Sequence, residues 1–258
     1  MNQVVNAFEE IALNTWKLLE KSHSLGMKIS EETLTDLNLL DLADKKLKNI
    51  QIRKISKPEE SKIGLDWELW VAHTSNRVFR YAIQAKKLDF SLRYTNLWHS
   101  VASSGALQID LLDEFAEVNN AIPLYCFFNF TNEPLQGFWQ CNDGFEAEQF
   151  GCTIAHSAQI KSLLGIKNSN KFESVHSLKP ALPLRCLVKC PLFSPNRLSY
   201  ASSYPFFGNM NGRSGFYDSV PWFFDGNSLE ISDIDNYYSS ELGIYPRFLI
   251  LVDLRNVQ

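Results

Sequence analysis

The chain has 258 residues, of which 45% are hydrophobic, 13% aromatic and 21% charged, and its formal net charge is −4. This composition supports a sizeable folded core and excludes a largely disordered chain. It lacks the strongly basic balance of proteins that coat long nucleic acids, although a local basic face would still bind phosphate. No apolar run is long enough to cross a bilayer and no signal peptide is evident, so the sequence predicts a cytoplasmic protein without a membrane partner.

The five cysteines do not form a metal-binding or disulfide pattern. Their number is odd and no Cys-x-x-Cys pair occurs, which argues against a zinc ribbon and a disulfide framework. Reduced, packed thiols are therefore expected. They are Cys126, Cys141, Cys152, Cys186 and Cys190.

The first elements in chain order are two predicted helices. Apolar residues recur at helical spacing over 3–23, which predicts an amphipathic helix ending near Gly26. Ser30 is a predicted N-cap, and Glu31 and Glu32 follow in the first helical turn, where their charge suits the helix dipole. The second helix is expected to run to about Leu47.

Three strands, a helix and a further strand follow, which completes an αβββαβ order. Residues 194–228 are rich in Ser, Asn, Gly, Pro and aromatic residues, which favours an irregular packed insertion or a partner-binding surface. The predicted elements are strands at 50–55, 64–72 and 78–85, a helix at 107–120, and strands at 123–130, 184–190 and 247–254.

Polar residues interrupt two of these strands at alternating positions. Asp66 and Glu68 share one face of their strand, and Gln84 and Lys86 share one face of the next. If the two strands are neighbours, carboxylates, an amide oxygen and an ammonium meet, and such a set suits Mg²⁺ and phosphodiester hydrolysis. The alternatives are an exposed acidic strand edge for Asp66 and Glu68, and a simple helix-start acid for Glu32.

The strings that carry these residues resemble a known nuclease superfamily. They are Glu32-Thr33-Leu34-Thr35-Asp36, Gly-Leu-Asp-Trp-Glu-Leu-Trp at 64–70 and Gln-Ala-Lys-Lys-Leu at 84–88. The pattern resembles the PD-(D/E)XK restriction-endonuclease-like superfamily, and more narrowly an uncharacterised bacterial family with GxDWExW and QAK strings. The resemblance is best over residues 30–130.

The resemblance implies an α/β fold. Its restriction-endonuclease-like αβββαβ core would have a mixed central sheet flanked by helices. Residues 1–135 would form the nuclease core, and the aromatic-rich residues 136–258 an irregular C-terminal elaboration packed on it.

The resemblance also implies roles for the polar residues. Asp66, Gln84 and Glu32 would bind Mg²⁺, with Mn²⁺ as a substitute, Lys86 would orient the attacking water, and Glu68 would add negative charge. Most active relatives carry glutamate where this chain has Gln84, so less negative charge holds the metal. The expected activity is DNA cleavage, by analogy in defence against phage. Cleavage of RNA, and a catalytically decayed module that binds nucleic acid or a protein, stay open.

A basic stretch at 45–62 precedes the strand that carries Asp66. Lys54, Lys57 and Lys62, together with Lys87, are predicted to contact nucleic-acid phosphates. A solvated helix end and hairpin is an equally good interpretation of the charge pattern. Many relatives of this fold act as dimers, since cutting two strands needs two sites, so the resemblance leaves open a homodimer or a protein partner in a defence system.

Overall fold

A computed structural model of the chain describes most of the expected core. The described residues are 2–55, 65–101, 105–141, 143–178, 181–189, 216–219 and 246–255. The predicted strand at 64–72 therefore begins outside them, and most of the aromatic-rich stretch at 194–228 lies outside them as well. No helix within these ranges is both long and apolar enough to span a bilayer.

Both helices and strands occur along the described chain. The helices are α1 (Asn2–Leu25), α2 (Glu31–Asp44), α3 (Gln108–Val118), α4 (Ser157–Lys161), α5 (Phe172–His176) and α6 (Cys186–Lys189), with short 3-10 helices at Gln136–Phe138 and Ala147–Gly151. The strands are β1 (Ile50–Lys54), β2 (Trp67–Thr74), β3 (Arg77–Lys87), β4 (Ile122–Phe128), β5 (Cys152–His156), β6 (Leu182–Pro183), β7 (Phe216–Tyr217) and β8 (Phe248–Asp253).

The chain forms two compact units that interleave in sequence. Each unit draws on residues from both sides of position 135, where the nuclease core was expected to end. The first unit comprises Met1–Lys46, Ala85–Trp98 and Leu124–Asn209, and the second comprises Leu47–Gln84, His99–Pro123 and Met210–Gln258.

The second unit contains a mixed sheet. β8 lies between β1 and β2, and β3 lies on the other side of β2. β8 runs antiparallel to β1 and parallel to β2, whereas β2 and β3 are antiparallel. β7 pairs with β3, also antiparallel. In the first unit β5 pairs antiparallel with both β4 and β6, so the protein has a mixed α/β fold.

The predicted order αβββαβ is confirmed from α2 to β4. The side chain of Ser30 accepts a hydrogen bond from Thr33 N at 3.0 Å, so the predicted N-cap of α2 is confirmed as well. The nuclease-like character of this core stays a prediction.

The strand predicted at 184–190 is wrong for the described residues 184–189, where a turn leads into the short helix α6. Its apolar run is too short to distinguish a strand from a buried helical turn. The helical turn brings Arg185 and Lys189 to one oxygen, Glu9 Oε1, at 2.8 and 3.3 Å. A strand would separate these two bases by about 13 Å.

A buried polar chain centred on His176 crosses the core of the first unit. His176 Nδ1 lies 3.1 Å from the carbonyl oxygen of Phe172, and Nε2 lies 2.8 Å from Thr153 Oγ1. Because a carbonyl only accepts, Nδ1 carries the proton, and neutral Nε2 accepts from the threonine hydroxyl. Thr153 Oγ1 in turn accepts from Asn129 Nδ2 at 3.1 Å. These hydrogen bonds require a neutral imidazole.

Burial lowers the pKa of His176 from 6.5 to about 4, although the hydrogen bond to Phe172 O raises it. Between these two values the unfolded chain binds a proton that the folded protein does not. The stability that the neutral imidazole contributes is thus present above pH 6.5 and is lost as the pH falls towards 4.

We therefore expect the free energy of unfolding to drop by about 2 kcal/mol between about pH 7 and about pH 5 through this group. Urea denaturation at both pH values measures the drop. It should be absent in His176→Gln and retained in the control His99→Gln, which changes an exposed histidine. An equal pH dependence in wild type and His176→Gln would contradict this assignment.

Candidate functional site

Asp66 and Gln84 meet at the start of the β2–β3 hairpin. The antiparallel register pairs Trp67 with Ile83, and its extension by one residue places Asp66 opposite Gln84. Asp66 N donates to Ile83 O at 3.0 Å, which holds the backbone in this register. Gln84 Nε2 donates to Asp66 Oδ2 at 2.7 Å. The predicted juxtaposition of this carboxylate and this amide is present.

Lys86 is the next residue on the same face of β3, because strand side chains alternate. It is only 2% exposed. Within the first unit its ammonium lies 3.8 Å from Glu31 Oε1. The other oxygen of Glu31 accepts from Lys87 N at 2.8 Å. One carboxylate of α2 thus contacts both the side chain of Lys86 and the backbone that follows it.

Glu31, and not Glu32, is the acid of α2 that contacts β3. Glu32 is exposed. Glu31 stands three, seven and eleven residues before Leu34, Asn38 and Leu42, which are all buried, so it lies on the inner stripe of the helix. The helical spacing from these apolar and buried positions could have shown, from the sequence alone, that Glu31 faces inwards and Glu32 does not.

Glu68 was expected to add charge to the metal site, but its carboxylate belongs to a buried ion pair in the second unit. Arg80 donates from Nε to Glu68 Oε1 at 2.8 Å and from Nη2 to Oε2 at 3.1 Å. Trp70 Nε1 also donates to Glu68 Oε1. With both oxygens in hydrogen bonds, Glu68 is left out of the metal ligands proposed below.

Arg80, the partner of Glu68, was not predicted from the sequence. It is a buried base in the apolar strand β3, with the same alternation as Gln84, and the register places it opposite Trp70. Such a charge needs an acid on the neighbouring strand. That rule, applied to the hairpin, would have indicated Glu68.

The predicted phosphate-binding lysines differ in their surroundings. Lys54 is exposed at the end of β1. Lys87 is half-buried, and burial lowers its pKa, with Lys28 acting in the same direction and Asp89 and Glu31 opposing it. Lys57 and Lys62 lie outside the described residues.

The described part of the chain contains no group of three or more His, Cys, Asp or Glu side chains arranged for a metal ion. A cavity of about 520 Å³ lies between α1 and α2 and is lined by residues such as Thr15, Leu37, Asn38 and Asp41. None of the predicted site residues lines this cavity.

The chain matches the model of a known family. The model of a family of unknown function, DUF6615, matches residues 4–220. The chain belongs to this family. No curated protein and no solved structure matches this DUF6615 member.

Proposed function

We propose that this DUF6615 protein is a metal-dependent nuclease that hydrolyses phosphodiester bonds in DNA. The 2.7 Å contact between Asp66 and Gln84, with Lys86 next on the same face of β3, carries this proposal. A carboxylate and an amide on one strand pair, followed by a lysine, is the arrangement that the PD-(D/E)XK resemblance leads one to expect. By analogy with that superfamily, defence against foreign DNA is the proposed role.

The burial of Lys86 supports a chemical role. Removing an ammonium from water costs several kcal/mol, so a lysine is seldom buried without a structural or chemical reason. Within the first unit Glu31 Oε1 lies 3.8 Å from this ammonium. A buried lysine two residues after Gln84 on the same face of β3 can stabilise charge that develops on a phosphate.

The side chains of Asp66 and Gln84 suit a hard cation that also binds the substrate phosphate. The two side-chain atoms are 2.7 Å apart, close to the ~2.9 Å between neighbouring ligands of octahedral Mg²⁺. The amide can present either its nitrogen or its oxygen, since the two are assigned from hydrogen bonding. One carboxylate and one neutral amide provide a single negative charge, so phosphate oxygens and water must complete the coordination.

Each residue would have a separate role in the proposed reaction. Asp66 and Gln84 would hold Mg²⁺ or Mn²⁺, which when bound supplies a more acidic water and polarises the phosphate. Lys86 would hold the attacking water or the phosphate oxygen through its ammonium. Glu31 Oε1, 3.8 Å from this ammonium, would help to hold its position. Lys87 and the exposed Lys54 would contact phosphates of the substrate.

A binding module without catalysis is the second candidate. The neutral Gln84 and the lack of a three-ligand acidic group in the described ranges favour it. Such a protein would use the same surface to bind nucleic acid or a protein partner and would not bind a divalent cation.

The first test is cleavage of plasmid, linear duplex, single-stranded DNA and RNA with Mg²⁺ or Mn²⁺. We expect Asp66→Asn and Lys86→Met to lower the rate by on the order of 100- to 1000-fold, because each removes a group that acts on the reacting phosphate. Matched controls are Glu114→Gln and Lys21→Ala, which alter exposed residues and should cut at the wild-type rate. Cleavage of RNA but not of DNA would change the proposed substrate from DNA to RNA.

Wild-type protein that neither cuts nor binds Mn²⁺ in calorimetry would reject the nuclease and favour the binding module. Thermal unfolding of Lys86→Met and Asp66→Asn distinguishes a loss of chemistry from a loss of fold. Both variants should retain a cooperative transition, since each replacement preserves side-chain volume.

The variant Gln84→Glu provides a further prediction. Two carboxylates at this distance repel each other without a cation, so Tm should fall in EDTA. Added Mn²⁺ should restore and raise Tm, with a larger increase than in wild type, because binding to the folded state alone stabilises it. Calorimetry should show at least about tenfold tighter Mn²⁺ binding. The same change at the exposed Gln3, Gln3→Glu, is the control.

A further inference from the structure

Two cysteines that are far apart in sequence meet in the first unit. Cys141 and Cys186 are 45 residues apart, and their sulfur atoms are separated by 3.5 Å, with the Cys186 thiol donating to Cys141 Sγ. A disulfide needs a separation of about 2.05 Å. The sulfurs therefore have to approach by only about 1.5 Å, which side-chain rotation and a small loop movement can provide.

The surroundings of the pair favour oxidation at one sulfur first. Cys141 is 8% exposed and Cys186 is fully buried, so a small oxidant reaches Cys141 more easily. The charge of Arg185, which directly precedes Cys186, interacts with Cys141 as well as with the carboxylates of Glu146 and Glu9. A cation close to a thiol is one of the features that mark reactive cysteines.

The other described cysteines are not placed for such a bond. Cys126 and Cys152 lie on the neighbouring strands β4 and β5, where the register pairs Cys126 with Ile154 and Cys152 with Phe128. They are therefore diagonal neighbours, whose separation of about 7–8 Å exceeds what a disulfide spans without backbone movement. Cys190 lies outside the described residues.

We propose that Cys141 and Cys186 form a redox site that a peroxide converts into a disulfide. The Cys141 thiolate attacks one oxygen of hydrogen peroxide, the O–O bond breaks, and hydroxide leaves, which yields a sulfenic acid on Cys141. The Cys186 sulfur then attacks the Cys141 sulfur, the S–OH bond breaks, and water forms with the proton of the Cys186 thiol. In sum, two thiols lose two electrons and two protons, and one peroxide becomes two waters.

The bond would connect the loop at 139–146 to the turn that carries Arg185. Arg185 already contacts Glu146 at 3.4 Å and Glu9 of α1 at 2.8 Å. A covalent link at this point would hold the loop and α6 together and reduce the entropy of the unfolded chain. We expect the oxidised protein to melt several degrees higher than the reduced one.

The experiment treats the folded, reduced chain with a few equivalents of hydrogen peroxide and blocks the remaining thiols with an alkylating reagent. Intact mass should show that reactive thiols fall from five to three, since the sequence has five cysteines and one disulfide uses two. Trypsin with a glutamyl endopeptidase separates the partners, because Cys186 is released in 186–189 and Cys141 in 118–146, where the Glu133–Pro134 bond stays intact. This second peptide also contains Cys126, so fragmentation by tandem mass spectrometry assigns the linked cysteine. The two peptides should be recovered joined, and dithiothreitol should release them.

Cys141→Ser and Cys186→Ser should each abolish the link, and Cys126→Ser should retain it. The same oxidation in urea should spread the links over all five cysteines, because proximity is lost. Oxidation of Cys141 to sulfinic or sulfonic acid without a link would overturn the proposal, as would a dominant link that includes Cys190. Recovery of five reduced thiols from the folded protein under conditions that link the urea-unfolded chain would overturn it too.

Discussion

Replacing Arg80 with alanine is expected to lower the free energy of unfolding by about 3–5 kcal/mol, because the Glu68 carboxylate would stay buried without its ion-pair partner. Glu68 is 0% exposed and Arg80 is 2% exposed, and two parallel hydrogen bonds join them. Arg80 also donates to Asn119 O and, at 3.3 Å, to Tyr217 Oη, and its guanidinium lies 4.9 Å from the ring centre of Trp70. Its loss removes the donor to Glu68 Oε2, whereas Glu68 Oε1 keeps the hydrogen bond from Trp70 Nε1 and Asn119 O keeps the one from Tyr217 Oη.

Urea denaturation of purified wild type and Arg80→Ala measures this effect. The control is Glu10→Ala, which removes one partner of the more exposed pair between Glu10 and Lys45 and should cost at most about 1 kcal/mol. The double variant Glu68→Leu with Arg80→Met should recover much of the loss, since it removes both buried charges. A change below about 1 kcal/mol in Arg80→Ala would contradict a structural role for this pair.

Replacing Gly151 with alanine should disrupt the packing of α1 in the first unit. A methyl group at Gly151 would lie 2.0 Å from the carbonyl oxygen of Ala12 and 2.9 Å from Trp16 N, both of which are backbone atoms of α1. No side-chain rotation relieves such an overlap, so the helix or the 3-10 helix at Ala147–Gly151 must move. We expect a loss of about 3 kcal/mol, at the upper end of the range for an overpacked core.

Gly137→Ala is the matched control, because nothing lies within 4 Å of the added methyl group at that position. Chemical denaturation should show a large fall in the midpoint for Gly151→Ala and a change within about 0.5 kcal/mol for Gly137→Ala. Equal midpoints for the two variants would show that α1 does not approach Gly151 this closely.

The two alanine variants also help to interpret the cleavage assay. Arg80 and Gly151 have no assigned role in chemistry, so any loss of activity in these variants should follow their loss of stability. Lys86→Met should instead lose activity at temperatures where it is folded. This contrast separates the Asp66–Gln84 pair and Lys86 from the buried groups that stabilise each unit.

Local patterns in the sequence determined much of the fold. Three patterns depend only on residues that are close in sequence, so they could be predicted without a partner segment. They are the Ser30 cap, the apolar spacing of α1 and α3, and the alternation in β2 and β3.

The short turn after Thr74 makes β2 and β3 antiparallel neighbours, so the pairing of the two site strands was predictable. The turn pair Thr74–Arg77 by itself would place Asp66 opposite Ala85, and the register shift between Ala72 and Thr74 brings Asp66 opposite Gln84. The register of the candidate site was therefore not predictable from the turn.

Only the tertiary structure decided which distant segments meet. β8 lies between β1 and β2 although about 180 residues separate it from β2, and strand alternation does not encode such a pairing. The burial of the Glu68–Arg80 pair needed a cover over its face of the sheet, and the approach of Cys141 to Cys186 needed the helical turn at α6. These contacts depend on long-range packing, because a side chain's role is set by which face is buried and by what covers it.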